Sequence, residues 1–370
     1  MSSSVPSLFQ PIRVGTVDLQ HRVVMAPVTR HRENKDHVHG ELAKTYYTQR
    51  SGVPGTLMIT EATFIAPQAG GYGNIPGIWS DAQIAAWKSV CVFPRPTRIT
   101  DAVHANGSYI FLQLWALGRA ADPDVLKQEG DFDLVGPSPN PVKYNVPREL
   151  TVAEIKEYVQ LYSKAASNAI EAGFDGVEIH AANGYILDQF LQTVSNERTD
   201  EYGGSVENRV RFPLEVIKAV VETVGVEDGS MGMKDPLPTF TTFVERIRDE
   251  HTDLAYLHVI EPRASGDAGI VTLSDENRAQ SNEVLRKVWG DRPYIAAGGI
   301  NRATAIDTVS KYGGLIAFGR HFIANPDLPL RLKEGLPLTH YNRGTFFTPE
   351  SAAGYIDYPF ANNAVIVQAQ

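Results

Sequence analysis

The chain has 370 residues, of which 43% are hydrophobic and 21% charged, with a net charge of -9 and one cysteine, Cys91. Such a composition can bury a large core and excludes a disordered chain. It carries no basic stripe for a phosphate backbone, which argues against nucleic acid, and one thiol cannot form an internal disulfide, as expected in a reducing compartment.

From Met1 to Gly15 the sequence is rich in Ser and Pro and has no apolar secretory core, and no apolar run has bilayer length. A cytoplasmic location away from membranes is the expectation. Short apolar runs then follow at Val23–Ala26, Thr56–Thr60, Tyr109–Leu114, Gly176–His180, Leu254–Ile260, Tyr294–Ala297 and Leu315–Phe318. They are near-continuously apolar, the pattern of parallel strands buried on both faces. Amphipathic helices fill the intervals. The clearest begins at Thr151, whose hydroxyl caps while Glu154 reaches back, and ends at Gly173. The segment Asp122–Pro147 is Pro/Asp-rich and is expected as a loop over the barrel top, and the tail after Pro359 as a frayed end.

Strand–helix alternation along the whole length predicts an α/β fold. A doubly wound sheet would carry G-x-G-x-x-G after its first strand, but here Pro27-Val28-Thr29-Arg30 follows. The glycines that follow strands come late, at Gly298-Gly299 and Gly319-Arg320. The loops after the last two strands are the usual phosphate site of a (β/α)8 TIM barrel. The expectation is therefore one such barrel over residues 1–370, a single domain in which seven strands are found where eight are due.

Strand C-termini face the active site of such a barrel. His180 ends a strand, and Asn183 and Tyr185 follow closely. Two donors on a carbonyl oxygen would withdraw electrons from a conjugated alkene, and a tyrosine could protonate its α-carbon. Against this stands a buried histidine satisfied by its surroundings, with Tyr185 packing a helix start. The three together at a strand end favour chemistry. No side chain supplies hydride, and a flavin fits the remaining residues. Gly298, Gly299, Gly319 and Arg320 offer backbone N–H groups and a cation for a phosphate ester. Gln113 is either an amide paired with an isoalloxazine edge or one satisfied by backbone. Thr29 is either a donor to a flavin carbonyl or a turn cap.

Several blocks resemble the old yellow enzyme family. They are Met25-Ala26-Pro27-Val28-Thr29-Arg30, Ile59-Thr60-Glu61-Ala62, Pro76-Gly77-Ile78-Trp79-Ser80, Gln113-Leu114-Trp115, His180 through Tyr185, Asn196 through Arg209, Asn325 through Leu328 and Gly354 through Pro359. They span nearly the whole chain and look closest to fungal members, including those of ergot alkaloid pathways. The resemblance implies non-covalent FMN, reduced by NADPH and reoxidised by an enal, enone or nitroalkene. It implies that His180 and Asn183 bind the substrate oxygen, Tyr185 donates the proton, Thr29 tunes the flavin and Gln113 holds its pyrimidine edge. Gly298, Gly299, Gly319 and Arg320 would hold the phosphate. Pro27, Val28 and Ala62 would line the ring, with Phe347 near its dimethylbenzene end.

Two departures stand against the family pattern. After Glu222-Thr223-Val224-Gly225 the family continues with a strand carrying an arginine that would sit by the flavin, whereas here Val226 leads directly into Glu227 through Pro236. Ser89 through Arg98 interrupts what should be one helix from Gln83 through Ala105, and its two prolines are costly there. Both read as gene-model differences, a skipped and a retained stretch, which transcript sequencing would test.

Other readings are a barrel that has lost flavin turnover, a flavin isomerase, or a metal enzyme. The last would use Glu178 and His180, which share a strand face, with His258 or Glu61, but it lacks a clear further ligand. The expectation is no metal. A Schiff-base aldolase lacks a strand lysine. Specificity falls to the segments Ile65–Ile75, Asp122–Pro147 and Arg263–Asn277, and the chain is expected as a monomer or homodimer.

Overall fold

The computed structural model describes residues 5–88, 99–142, 145–223, 237–261, 264–265, 269–270 and 282–361. Both departures, the Ser89–Arg98 stretch and the break after Val226, lie outside these residues. So do most of Arg263–Asn277 and the end of the tail.

Among the described residues, seven main parallel strands form one curved sheet, β1 (Val23–Met25), β2 (Leu57–Ile59), β3 (Tyr109–Trp115), β4 (Gly176–Ile179), β5 (Leu257–Ile260), β6 (Tyr294–Ala297) and β7 (Leu315–Phe318), with a short eighth strand, Thr63–Phe64, paired parallel to β3. The order is β5-β6-β7-β1-β2-β3-β4. The order is sequential once the sheet is started at β1, as successive right-handed crossovers dictate. All seven expected strands are present: Tyr294–Ala297 and Leu315–Phe318 as read, the runs from Val23, Thr56 and Gly176 a residue shorter at one or both ends, and the run from Tyr109 extended to Trp115. The Leu254–Ile260 run, which closes the long interval 180–256 after β4, yields a strand only from Leu257.

Side chains alternate across this sheet with a period of two. Val23, Met25, Met58, Ile110, Leu112, Leu114, Val177, Ile179, Leu257, Val259 and Ile316 face the helices. Val24, Ala26, Leu57, Ile59, Phe111, Ile295, Ala297, Leu315 and Ala317 face inward. An N-terminal hairpin, Ile12–Val14 with Val17–Leu19, was not expected. It sends Val14, Val17 and Leu19 into the same inward cluster and so plugs the bottom of the barrel.

The helix expected from Thr151 runs Val152–Glu171 with both halves of the capping box formed, and Gly173 takes a φ of 90° beyond it. In place of one helix from Gln83 to Ala105 there are two, Asp81–Lys88 and Ile99–Ala105. The expected loop Asp122–Pro147 contains a helix, Pro123–Gly130. Asp122 caps it by accepting from the Asp124 N–H, and Pro123 at the first position has its φ already set for a helix. No helix among the described residues is long and apolar enough to cross a membrane.

Among the described residues no ladder joins β4 to β5. Side chains meet there instead. Glu178 Oε2 accepts from the Tyr256 hydroxyl at 3.1 Å and lies 3.0 Å from His258 Nδ1. Below them the Phe111 and Tyr256 rings stack at 5.8 Å.

Candidate active site

The inward positions nearest the strand C-termini leave the apolar floor and turn polar. They line a cavity of about 180 Å³ formed by Ala26, Pro27, Thr29, Ala62, Gln113, Trp115, Glu178, His180, Asn183, Tyr185, His258 and Ala297 among others. Of the residues singled out from sequence, Pro27, Thr29, Ala62, Gln113, His180, Asn183 and Tyr185 are brought together here. Val28, Gly298, Gly299, Gly319, Arg320 and Phe347 are not on its wall.

His180 follows the last residue of β4. The Ala182 backbone N–H donates to its Nδ1 at 3.3 Å, so in the neutral ring the proton sits on Nε2. Burial pushes its pKa down to about 4, which keeps the ring neutral at physiological pH. Asn183 takes a φ of 59°, a left-handed conformation that asparagine tolerates, and Gly184 follows at 79°. The turn is pinned from below: the Gly184 N–H donates to Asp188 Oδ2 at 2.7 Å, and Gln189 Nε2 donates to the Gly184 carbonyl at 2.7 Å. Tyr185 packs its ring edge-on to Trp115 at 4.6 Å and to His180 at 5.1 Å.

Gln113 and Glu178 are register partners on β3 and β4. Gln113 Nε2 donates to Glu178 Oε1 at 2.6 Å, which turns the amide oxygen away from the carboxylate. Burial alone would raise the Glu178 carboxyl, but the His258 imidazole and the Gln113 amide outweigh it and hold it below the ordinary carboxylate range. Among the described residues no three His, Cys, Asp or Glu are grouped to hold a metal, and Glu178 is engaged instead by Gln113, Tyr256 and His258.

Beyond the cavity wall, Gly298 and Gly299 follow β6 with φ values of 95° and 61°. Gly319 follows β7; a Cβ there would lie 3.1 Å from Val28 Cγ1. The Arg320 guanidinium lies 3.4 Å from the Tyr341 hydroxyl. Phe347 is 48% exposed and meets His31 edge-on at 5.6 Å.

Sequence reasoning missed the polar cluster behind Thr29. The Arg30 backbone N–H donates to Glu61 Oε2, and its guanidinium donates to the carbonyls of Phe346 and Gly354. Arg32 donates to the carbonyls of Thr345 and Ser351. Glu33 pairs with His39 at 2.6 Å. These charged residues occupy a loop with no periodicity, so nothing in the sequence marked them as buried.

A parallel α/β barrel with a polar cavity at the C-terminal ends of its strands has the layout of a barrel enzyme. Residues 7–339 match the NADH:flavin oxidoreductase / NADH oxidase family, and the chain belongs to that family. It is 48% identical over 97% of both chains to an NADP-dependent oxidoreductase of Aspergillus flavus. It is 46% identical to a chanoclavine-I aldehyde reductase of Penicillium roqueforti over 96% of both. A protein of Epichloe festucae var. lolii named a probable inactive reductase is 45% identical, covering 98% of this chain and 97% of its own. Among solved structures, an Old Yellow Enzyme from Pichia is 36% identical at a TM-score of 0.85, over 98% of this chain and 97% of that one. The expected old yellow enzyme relationship and barrel fold hold.

FMN is the cofactor of this family, and the residues fit it. Pro27, Ala26, Ala62 and Ala297 give small apolar walls, and Gln113 gives a polar edge. His258 Nε2 is a buried nitrogen on the same wall with no hydrogen-bond partner among the described residues. A Cβ at Gly319 would close the approach beside Val28.

Proposed function

We propose that this chain is an FMN-dependent, NADPH-driven reductase of activated carbon–carbon double bonds in enals, enones or nitroalkenes, built as one domain. The observation that carries the reading is the meeting of His180, Asn183 and Tyr185 on the wall that also holds Gln113 and Thr29. The names of the two more similar relatives, an NADP-dependent oxidoreductase and an aldehyde reductase, support the electron donor and a carbonyl-bearing substrate.

Bound FMN would supply the hydride that no side chain can. Gln113 would hold the pyrimidine end of its ring, Pro27, Val28 and Ala62 its faces, and Thr29 a ring carbonyl. Gly298, Gly299, Gly319 and Arg320 would hold the phosphate, and Phe347 would cover the dimethylbenzene end. His180 Nε2–H and the Asn183 amide would donate to the substrate oxygen and draw charge from the double bond. The neutral state of His180 makes it a donor without a fixed charge, and the pinned turn at Gly184 holds Asn183 in place before substrate arrives. Tyr185 would give its phenolic proton to the α-carbon; an acidic group there favours net reduction over isomerisation.

The test is the visible spectrum of the purified chain before and after NADPH without oxygen. Flavin bands that bleach with NADPH and return on adding an enal support the reading. The relative named probably inactive favours a second reading, a barrel that no longer turns over. A protein that stays colourless when FMN is supplied would establish that second reading and sink the first.

A further inference from the structure

His258 lies on the inward side of β5 and is 7% exposed. One face of its ring system is accounted for. Glu178 Oε2 lies 3.0 Å from Nδ1 and also accepts from Tyr256, while Oε1 accepts from Gln113. An ionised carboxylate only accepts, so the ring proton is fixed on Nδ1. The other nitrogen, Nε2, is buried on the cavity wall and has no hydrogen-bond partner among the described residues. Leaving a buried polar nitrogen unsatisfied is costly, and a ligand that pairs with it recovers that cost. Beside it, the Gln113 amide oxygen points away from the carboxylate. No lysine or arginine is on the cavity wall among the described residues; His258, His180, Glu178 and Tyr185 are its ionisable groups.

We propose that His258 is an anchor for the cofactor ring: its Nε2 accepts from an N–H on the polar edge of the heteroaromatic ring, beside the position that Gln113 takes. This rests on the flavin reading and adds a residue to it. With Nδ1–H committed to Glu178, Nε2 is the nitrogen left to meet the ligand. Glu178 holds the imidazole in that orientation across the β4–β5 gap.

The test uses the full chain with FMN. H258F should bind FMN at least about tenfold more weakly than wild type, the equivalent of about 1.4 kcal/mol. Because H258F could fail to fold, the imidazole nitrogens of the wild type, labelled with nitrogen-15, give a second readout. On adding FMN the Nε2 resonance of His258 should move and Nδ1 should not. Wild type that binds no FMN overturns both the flavin reading and the anchor. Wild type that binds FMN with an unmoved Nε2 resonance, or H258F that folds and keeps its FMN affinity within twofold, overturns the anchor alone.

Discussion

The backbone N–H of Arg30 donates to Glu61 Oε2 at 3.1 Å, which ties the loop after β1, carrying Pro27 and Thr29, to the residue that precedes Ala62. Two walls of the cavity are therefore held by one carboxylate. E61A should leave the buried Arg30 N–H unsatisfied and cost about 1–3 kcal/mol, whereas E61Q keeps an acceptor and should cost less. Urea unfolding of the two variants checks this, and equal losses would count against the carboxylate's positioning role.

Stability should peak near pH 6.5. Burial pushes Glu33 and Glu61 up to about 8. A carboxyl raised in the fold stabilises fully below its unfolded value of 4.5, and that contribution is lost as pH rises to about 8. Burial pushes His21, His39 and His180 down to about 4. Their contribution is full above 6.5 and lost as pH falls to about 4. His37, lowered by burial but raised more by Glu129, and His104, raised by Asp175, add to the alkaline decline. Each buried carboxyl can contribute up to about 1.4 kcal/mol per pH unit. Thermal melts from pH 5.5 to 8.5 should show the fall above 6.5, and E61Q should flatten it. A midpoint that climbs between pH 6.5 and 8 contradicts this assignment.

Removing the phenol should separate two half-reactions. In Y185F, bleaching by NADPH should proceed at the wild-type rate, while reoxidation by an enal slows by about 10²–10⁴, the usual weight of a positioned acid. If both halves keep their rates, the proton comes from elsewhere.

His180 and Asn183 should act together on the substrate oxygen. H180A and N183A should each weaken binding of a phenolate or enal ligand by about tenfold. The double variant should lose less than the product of the two, because donors to one oxygen are coupled. Strictly multiplicative losses would show that they touch different atoms.

Most of this scaffold was readable because buried parallel strands are near-continuously apolar and Thr151 with Glu154 is a local signature. Local rules also explain the misses. The hairpin at Ile12–Leu19 is short and turns at Gly15, too little for a periodicity to register. The helix at Pro123–Gly130 hid inside a polar stretch because its cap and proline look the same in a loop. His180, Asn183 and Tyr185 were found because they are close in sequence. The bond between Glu178 and His258 joins residues far apart along the chain, and only the fold brings them together. Glu33 and His39 were missed, and Glu61 was read only as a possible metal ligand, because burying ionisable groups runs against the composition rule that otherwise locates the core.

Among the described residues the N-terminal hairpin closes the inward cluster from below, and the polar cavity lies at the other end, by the strand C-termini. On the proposed flavin reading, nicotinamide and alkene would both approach from that end and take the same place at different times. Each visitor therefore excludes the other, and a product that lingers delays the next reductant. Initial-rate plots at several NADPH concentrations should give parallel lines, with excess alkene inhibiting against NADPH. Intersecting lines would mean that both are held at once, which would require a second route into the barrel.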